Sequence, residues 1–159
     1  MPYPADYGGV VDVFYRIKAL HEIGVKIHLH CFEYGRGQQD ELNEYCVEVN
    51  YYKRNTGLKG FSFRLPYIVN SRINKALLQN LLKDEYPVLL EGIHCTYLLF
   101  TDQLKSKKVF VRLHNVEFEY YHQLSKSENS FFKKMYFQTE SRFLKRLNEA
   151  QSEPTNEMT

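Results

Sequence analysis

Three stretches and one loop in this chain carry residue types suited to chemistry, each next to an apolar run. VFVRLHN (109–115) ends in His114 and Asn115, and a histidine there can hydrogen-bond a substrate hydroxyl or titrate near neutrality. It can equally serve as a satisfied structural side chain. Arg112 lies two residues before His114, on the same side of an extended strand, where pairing with a carboxylate is its ordinary role. Glu91-Gly92-Ile93-His94 follows a second apolar run: Glu91 can accept a hydroxyl proton or orient a sugar, and Gly92 permits close approach. The same four residues also suit a plain strand-to-helix turn, with a carboxylate near a helix N-terminus. Gly8-Gly9, preceded by Asp6 and Tyr7, opens an amphipathic segment, so its backbone N–H groups could face a phosphate. The alternative is an ordinary helix start with Asp6 as a nearby cap.

His28, His30 and Cys31 suggest metal ligation, because alternate residues of a strand share a face. No third ligand stands at a suitable spacing, so sheet residues packed under helices account for them better and no metal site is expected. Lys133, Lys134, Arg142, Lys145 and Arg146 lie beside phenylalanines near the carboxyl end. That pattern suits contact with an anionic membrane, although a solvated helix face is the commoner meaning. Glu140 falls near the apolar stripe of the same segment, where a carboxylate needs a partner.

These residues must be held by a regular scaffold. Val10, Phe14, Ile17 and Leu20 recur at helical spacing, and Gly24 follows as a C-terminal stop. VKIHLHCF (25–32) and CVEVNYY (46–52) read as strands, with DELNEY between them a short helical turn and 53–66 a loop. From Asn70 onward Ile73, Leu77, Leu78, Leu81 and Leu82 define another helix, ended ahead of Pro87. PVLLEG (87–92) is a strand, 94–104 a helix, 108–115 a strand, and 131–147 a helix with Phe132, Tyr136, Phe143 and Leu147 on one face. Strands alternating with helices define an α/β domain with a mainly parallel sheet, whose ligands bind at the strands' carboxyl ends. Asp6 to Gly9, Phe32 to Tyr34, Glu91 to His94, and Arg112 to Glu117 would then share one rim.

The 159 residues suffice for one domain, and 43% hydrophobic with 25% charged residues is a globular composition. A net charge of +2 argues against a nucleic-acid binder. Three cysteines without a CxxC pair argue against a disulfide framework and make a reducing cytoplasm the default. There is no basic, apolar start of the signal-peptide kind.

PYPADYGGVVDVFYRIKALHEIGVKIHLHCF, LLEGIHC and VFVRLHNVEFEYYHQL, taken in order, resemble the amino-terminal domain of GT-B fold glycosyltransferases of the large retaining family 4, of the kind found in Bacteroidetes. The likeness covers about residues 2–147. It implies a Rossmann-like three-layer α/β domain, the acceptor-side half of the enzyme, followed by a polar tail over 148–159. It implies transfer of a sugar from a nucleotide-sugar donor to a glycan or lipid-linked acceptor, with no metal or other bound cofactor. His114 would lie beside the transferred sugar as the catalytic position, and Gly8 and Gly9 beside the donor phosphates. Asp6, Glu91, His94, Asn115 and Glu117 would face the acceptor. Such enzymes are about twice as long, and a second domain supplies most donor contacts. The expectation is therefore an amino-terminal piece without its opening strand, inactive until joined by a donor-binding domain in the same or a separately encoded chain. Its place would be the cytoplasm, peripheral at the inner face of the membrane. A non-catalytic α/β module that pairs with another protein is the competing expectation.

Overall fold

The computed structural model describes residues 1–6, 8–33, 35–100, 102–113 and 117–152. Helix α1 spans Gly8–Glu22, and its periodic residues Val10, Phe14 and Ile17 are buried. The chain leaves α1 through Gly24 at φ 83°, the left-handed conformation that glycine adopts without a Cβ penalty. β1 (His28–Glu33) and β2 (Glu48–Lys53) form a parallel ladder, joined by a 3-10 helix over Asp40–Glu44 whose Leu42 is fully buried. β3 (Val88–Glu91) and β4 (Val109–Arg112) form a second parallel ladder. Among the described residues the molecule is thus a mixed α/β assembly with two short parallel pairs, not the single continuous sheet expected from the alternation of elements.

The helix expected from Asn70 onward begins later, at Lys75, and a short helix lies ahead of it. α2 (Tyr67–Asn70) ends at a turn, and α3 (Lys75–Leu81) starts afresh because Asn74 caps it, its side chain accepting from the N–H groups of Ala76 and Leu77. Such a cap stops the preceding helix as firmly as it starts the next. The segment expected to be helical over 94–104 consists of 3-10 helices, Ile93–Phe100 and Asp102–Leu104. A helix that periodicity did not suggest, α4 (Glu117–Ser127), precedes α5 (Phe131–Ser152) and packs along it.

One core joins the two ladders. Phe32 of β1, Tyr52 of β2 and Leu90 of β3 pack with Val69, Leu77, Leu81, Tyr97, Leu98 and Leu104, with Val88 and Val109 at its edge. A satellite cluster, Ile93 and Leu144 with Leu65, Ile68, Phe118 and Tyr121 around them, fastens the α4–α5 hairpin to this body. Among the described side chains of α5 the buried ones are Glu140, Ser141 and Leu144, Tyr136 and Phe143 are half-buried, and Phe132 is 77% exposed. The expected stripe through Phe132 is corrected accordingly. The hairpin is close because Ser141 is small and polar: its Oγ donates to the Phe118 carbonyl at 2.7 Å. That leaves the large rings at the start of α5 beyond the contact.

Candidate functional site

The carboxyl ends of β3 and β4 meet the first half of α1 through charge. Asp12 accepts from Arg112 Nη1 at 2.5 Å and from Arg16 Nη2 at 3.2 Å. Glu91 lies 3.2 Å from Arg16 Nε and 3.5 Å from Arg112 Nη1. Two carboxylates and two guanidinium groups therefore alternate around one cluster that ties α1 to both strand ends. Arg112 takes the carboxylate-paired role expected of it, with a partner one hundred positions away. Glu91 is engaged in the same cluster, so here it fixes the helix. A shallow open groove runs along α1 beside the cluster, lined by Gly8, Val11, Asp12, Tyr15, Arg16 and Ala19.

At the head of α1, Gly8 and Gly9 are exposed, and a Cβ built on either would meet nothing within 4 Å. Their N–H groups belong to the first turn of a helix, where intrahelical partners are lacking and anions are favoured. Asp6 pairs with Arg36, the carboxylate oxygen 3.0 Å from the guanidinium, and that hydrogen bond holds its carboxyl below the usual range. Arg36 also donates to the Pro4 carbonyl at 3.1 Å, which joins the loop after β1 to the segment before α1. That loop is shaped by Glu33, whose carboxylate accepts from the N–H groups of Gly35 and Gly37, bonds that lower its pKa. The loop after β1, the start of α1 and the ends of β3 and β4 are thus linked on one side of the molecule.

Gly92 does permit close approach, but the approaching group is internal. Its φ is 90°, and a Cβ there would lie 2.6 Å from Cε1 and 2.8 Å from Nδ1 of His94. His94 is folded back over the turn at Gly92. Gly92→Ala should therefore cost about 1–3 kcal/mol, the penalty of a non-glycine residue in that conformation, to which the displaced ring adds. Urea unfolding midpoints will read the loss, and an unchanged midpoint would contradict it. His114 and Asn115 lie outside the described residues, as do Tyr7, Tyr34 and the side chain of Glu117, whose backbone opens α4.

The histidines of β1 serve the packing. His30 Nδ1 lies 2.8 Å from the Tyr52 hydroxyl, which also accepts from Asn80 at 2.7 Å, and burial lowers the His30 pKa. His28 Nδ1 lies 3.4 Å from Glu48 and its ring stands 5.5 Å from that of Tyr86. Among the described residues no group of three or more His, Cys, Asp or Glu side chains is placed to hold a metal. All three thiols are free, and burial pushes each up to about 11, so none is a ready nucleophile. Glu140 has found its partner in main chain: the carboxylate accepts from Tyr67 N–H at 2.8 and 3.0 Å, at the start of α2. Among the described residues no helix is long and apolar enough to cross a membrane. Phe131, Phe132, Met135, Lys133 and Lys134 are all exposed at the start of α5.

Over 144 residues the chain is 32% identical to a protein of Klebsiella pneumoniae described as "Uncharacterized 44.6 kDa protein in cps region". The match covers 86% of this chain and 37% of that protein, so the chain spans little more than a third of its relative's length. No protein-family model and no solved structure matches the chain.

Proposed function

We propose that this chain is the acceptor-side domain of a GT-B fold glycosyltransferase of the retaining family 4 kind, acting in polysaccharide assembly. The observation that carries this reading is the open Gly8-Gly9 start of α1, tied by its own Asp12 and Arg16 to the strand-end residues Glu91 and Arg112. A helix start held beside strand ends suits a phosphate-bearing donor. The relative's place in a cps region, that of capsule polysaccharide, supports the same direction. Buried positions on α1 and the shared core beneath α2 and α3 are compatible with a Rossmann-like three-layer arrangement of helices about parallel strands.

In this reading a nucleotide-sugar donor gives up its sugar to a glycan or lipid-linked acceptor with the anomeric configuration retained. The N–H groups of Gly8 and Gly9 face the departing diphosphate, where developing negative charge is strongest. Asp6, Glu91, His94, Asn115 and Glu117 are on the acceptor side. Glu91 acts there by holding α1 rather than by taking a proton, since two guanidinium groups already share its charge. A second domain, in the same or another chain, supplies the remaining donor contacts. The work takes place at the cytoplasmic face of the membrane, with the phenylalanines and lysines at the start of α5 toward anionic lipid.

The test is sugar transfer from nucleotide sugars to bacterial membrane acceptors, by the present chain alone and by a longer protein that includes a donor-binding half. The longer form should transfer with retention, and the chain alone should not. Gly9→Ala in the longer form should lower transfer at least about tenfold while unfolding free energy stays within about 0.5 kcal/mol, since the added methyl meets no protein atom. Transfer unaffected by Gly9→Ala would remove the donor from this helix start. Leu58 and Phe63, 94% and 87% exposed, favour the second reading, a binding module that pairs with another protein. A longer form that binds no nucleotide sugar would decide for it.

A further inference from the structure

The loop between β2 and α2 is firmly fastened, yet its largest apolar side chains face water. Asn55 N–H donates to the Ser71 carbonyl at 2.7 Å, and the Asn55 side chain donates to the Ile73 carbonyl at 3.0 Å. Asn70 Nδ2 donates to the Gly60 carbonyl at 3.0 Å, and Ser62 Oγ accepts from the N–H groups of Arg64 and Leu65. Leu58, Phe61 and Phe63 nevertheless stand exposed, the two rings meeting edge-on at 5.1 Å. A slack loop would fold such side chains against the body, whereas one tied down in this way keeps them available for contact. Lys59 and Arg64 flank them, both exposed, and among the described residues no ion pair engages either. Residues 53–83 contain no aspartate or glutamate, so the protrusion is cationic as well as apolar.

The opposite end of the β1–β2 ladder has the complementary character. Ahead of the paired strands Val47 N–H donates to the Ile27 carbonyl at 2.8 Å. Beside this bond a recess of about 310 Å³ opens between the end of α1 and the 3-10 helix over Asp40–Glu44, some ten times a water's share of liquid volume. Val25 and Val47, both exposed, give it apolar walls. Glu22, Asp40, Glu41, Glu44 and Glu48 surround it, all exposed, and outnumber the cations there, Lys18 and Lys26. The six residues of β2 separate recess from protrusion, about 20 Å at roughly 3.3 Å per residue.

We propose that copies of this chain associate head to tail, the loop of one docking in the recess of the next. Leu58 and Phe63 enter between Val25 and Val47 of the receiving copy, while Lys59 and Arg64 meet its acidic rim. Because protrusion and recess lie at opposite ends of one ladder, no single molecule satisfies both. The contact is heterologous, and copies add in one direction into a ring or a short filament. A second copy suits the loop better than a bilayer does. Side chains held rigidly lower the ordering cost of entering a fitted site, whereas a fluid surface rewards apolar area alone. One loop is less than the roughly 20–30 residues a side of a standard interface, so the assembly is weak and follows concentration. The inference is independent of the sugar-transfer reading, since none of these residues belongs to the cluster of Asp12, Arg16, Glu91 and Arg112.

Sedimentation velocity tests it. The average sedimenting mass should rise from about 10 to 500 µM chain and fall back when salt is raised from about 0.05 to 0.5 M, which screens the charged rim. Two charge-reversed variants then read the geometry. Lys59→Glu with Arg64→Glu has an acidic loop and an acidic recess, and Glu22→Lys with Glu44→Lys has a basic loop and a basic recess. Each alone should self-associate at least about tenfold more weakly than the parent. Mixed, they should associate again, because each loop then finds a recess of opposite sign. A parent that stays monomeric throughout overturns the proposal, as does a mixture that associates no better than its components. A monomeric parent that instead binds vesicles of anionic phospholipid, and loses them with Phe63→Ser, would assign the loop to a membrane. If the reversed variants do not fold, amide exchange of the parent at low and high concentration replaces them. Slowing at both 43–47 and 57–64 is expected, and slowing at one alone or at neither overturns the proposal.

Discussion

His114→Ala, made in the longer form that carries a donor-binding half, is expected to lower sugar transfer about a hundredfold or more while leaving the unfolding midpoint nearly unchanged. The basis is position in the sequence: His114 ends the run that begins with β4, two residues beyond Arg112, and Arg112 is tied to Asp12 at the head of α1. A side chain that acts on the reacting groups contributes roughly 10²–10⁴ in rate when positioned for it. A side chain that only caps a strand would instead cost stability and spare turnover. Arg112→Gln separates the two cases. It removes the bidentate tie to Asp12, so it should loosen α1 and weaken donor binding. Because His114 itself is kept, the residual rate at saturating donor should exceed that of His114→Ala. Parity of His114→Ala with the parent would withdraw the catalytic assignment, and Arg112→Gln falling below it would show that rigidity at the strand end is the greater need.

Elements with strong periodicity were legible from sequence. Val10, Phe14 and Ile17 declared the buried side of α1, and the apolar runs at 25–32 and 87–92 cover β1 up to Phe32 and the whole of β3. What could not be read are properties set by partners. The start of α3 at Lys75 rather than at Asn70 depends on the Asn74 side chain turning back on its own helix, a choice that apolar spacing does not encode. α4 was missed because EFEYYHQLSKS is mostly polar. Its apolar contacts, Phe118 and Tyr121, gain meaning only against Leu144 of α5. A partner for Arg112 was expected, but Asp12 is remote in the chain and only the fold selects it over nearer carboxylates. Helical spacing groups Phe132 with Tyr136, Phe143 and Leu147 on one face, but spacing does not say where along α5 the packing begins, and Phe132 is exposed. Glu140 and Ser141 took the interior of α5 because each found a main-chain partner there.

Glu140 leads to the largest expected change in stability. Its carboxylate is buried, and desolvation raises its pKa above the ordinary value, with the N–H groups of Tyr67 and Ile68 acting in the opposite direction. A carboxyl whose folded pKa exceeds its unfolded one binds its proton more tightly in the native state. This contribution to stability is therefore greatest at low pH and is lost as pH rises from the unfolded value through the folded one. Glu140→Gln removes that titration yet keeps an oxygen for Tyr67 N–H, so its stability should be flatter across the same window and at least equal to the parent's above it. Glu140→Ala takes away the acceptor and leaves the Tyr67 N–H without it beside a small cavity, which should cost about 1–3 kcal/mol for the orphaned donor alone. The loss should appear first as faster amide exchange in the α4–α5 hairpin, since Glu140 and Leu144 are its fastenings to the core. Denaturation of the three proteins between pH 4 and pH 8 would test this. A glutamine variant as unstable as the alanine one would mean that the charge, not the accepted hydrogen bond, holds the hairpin down.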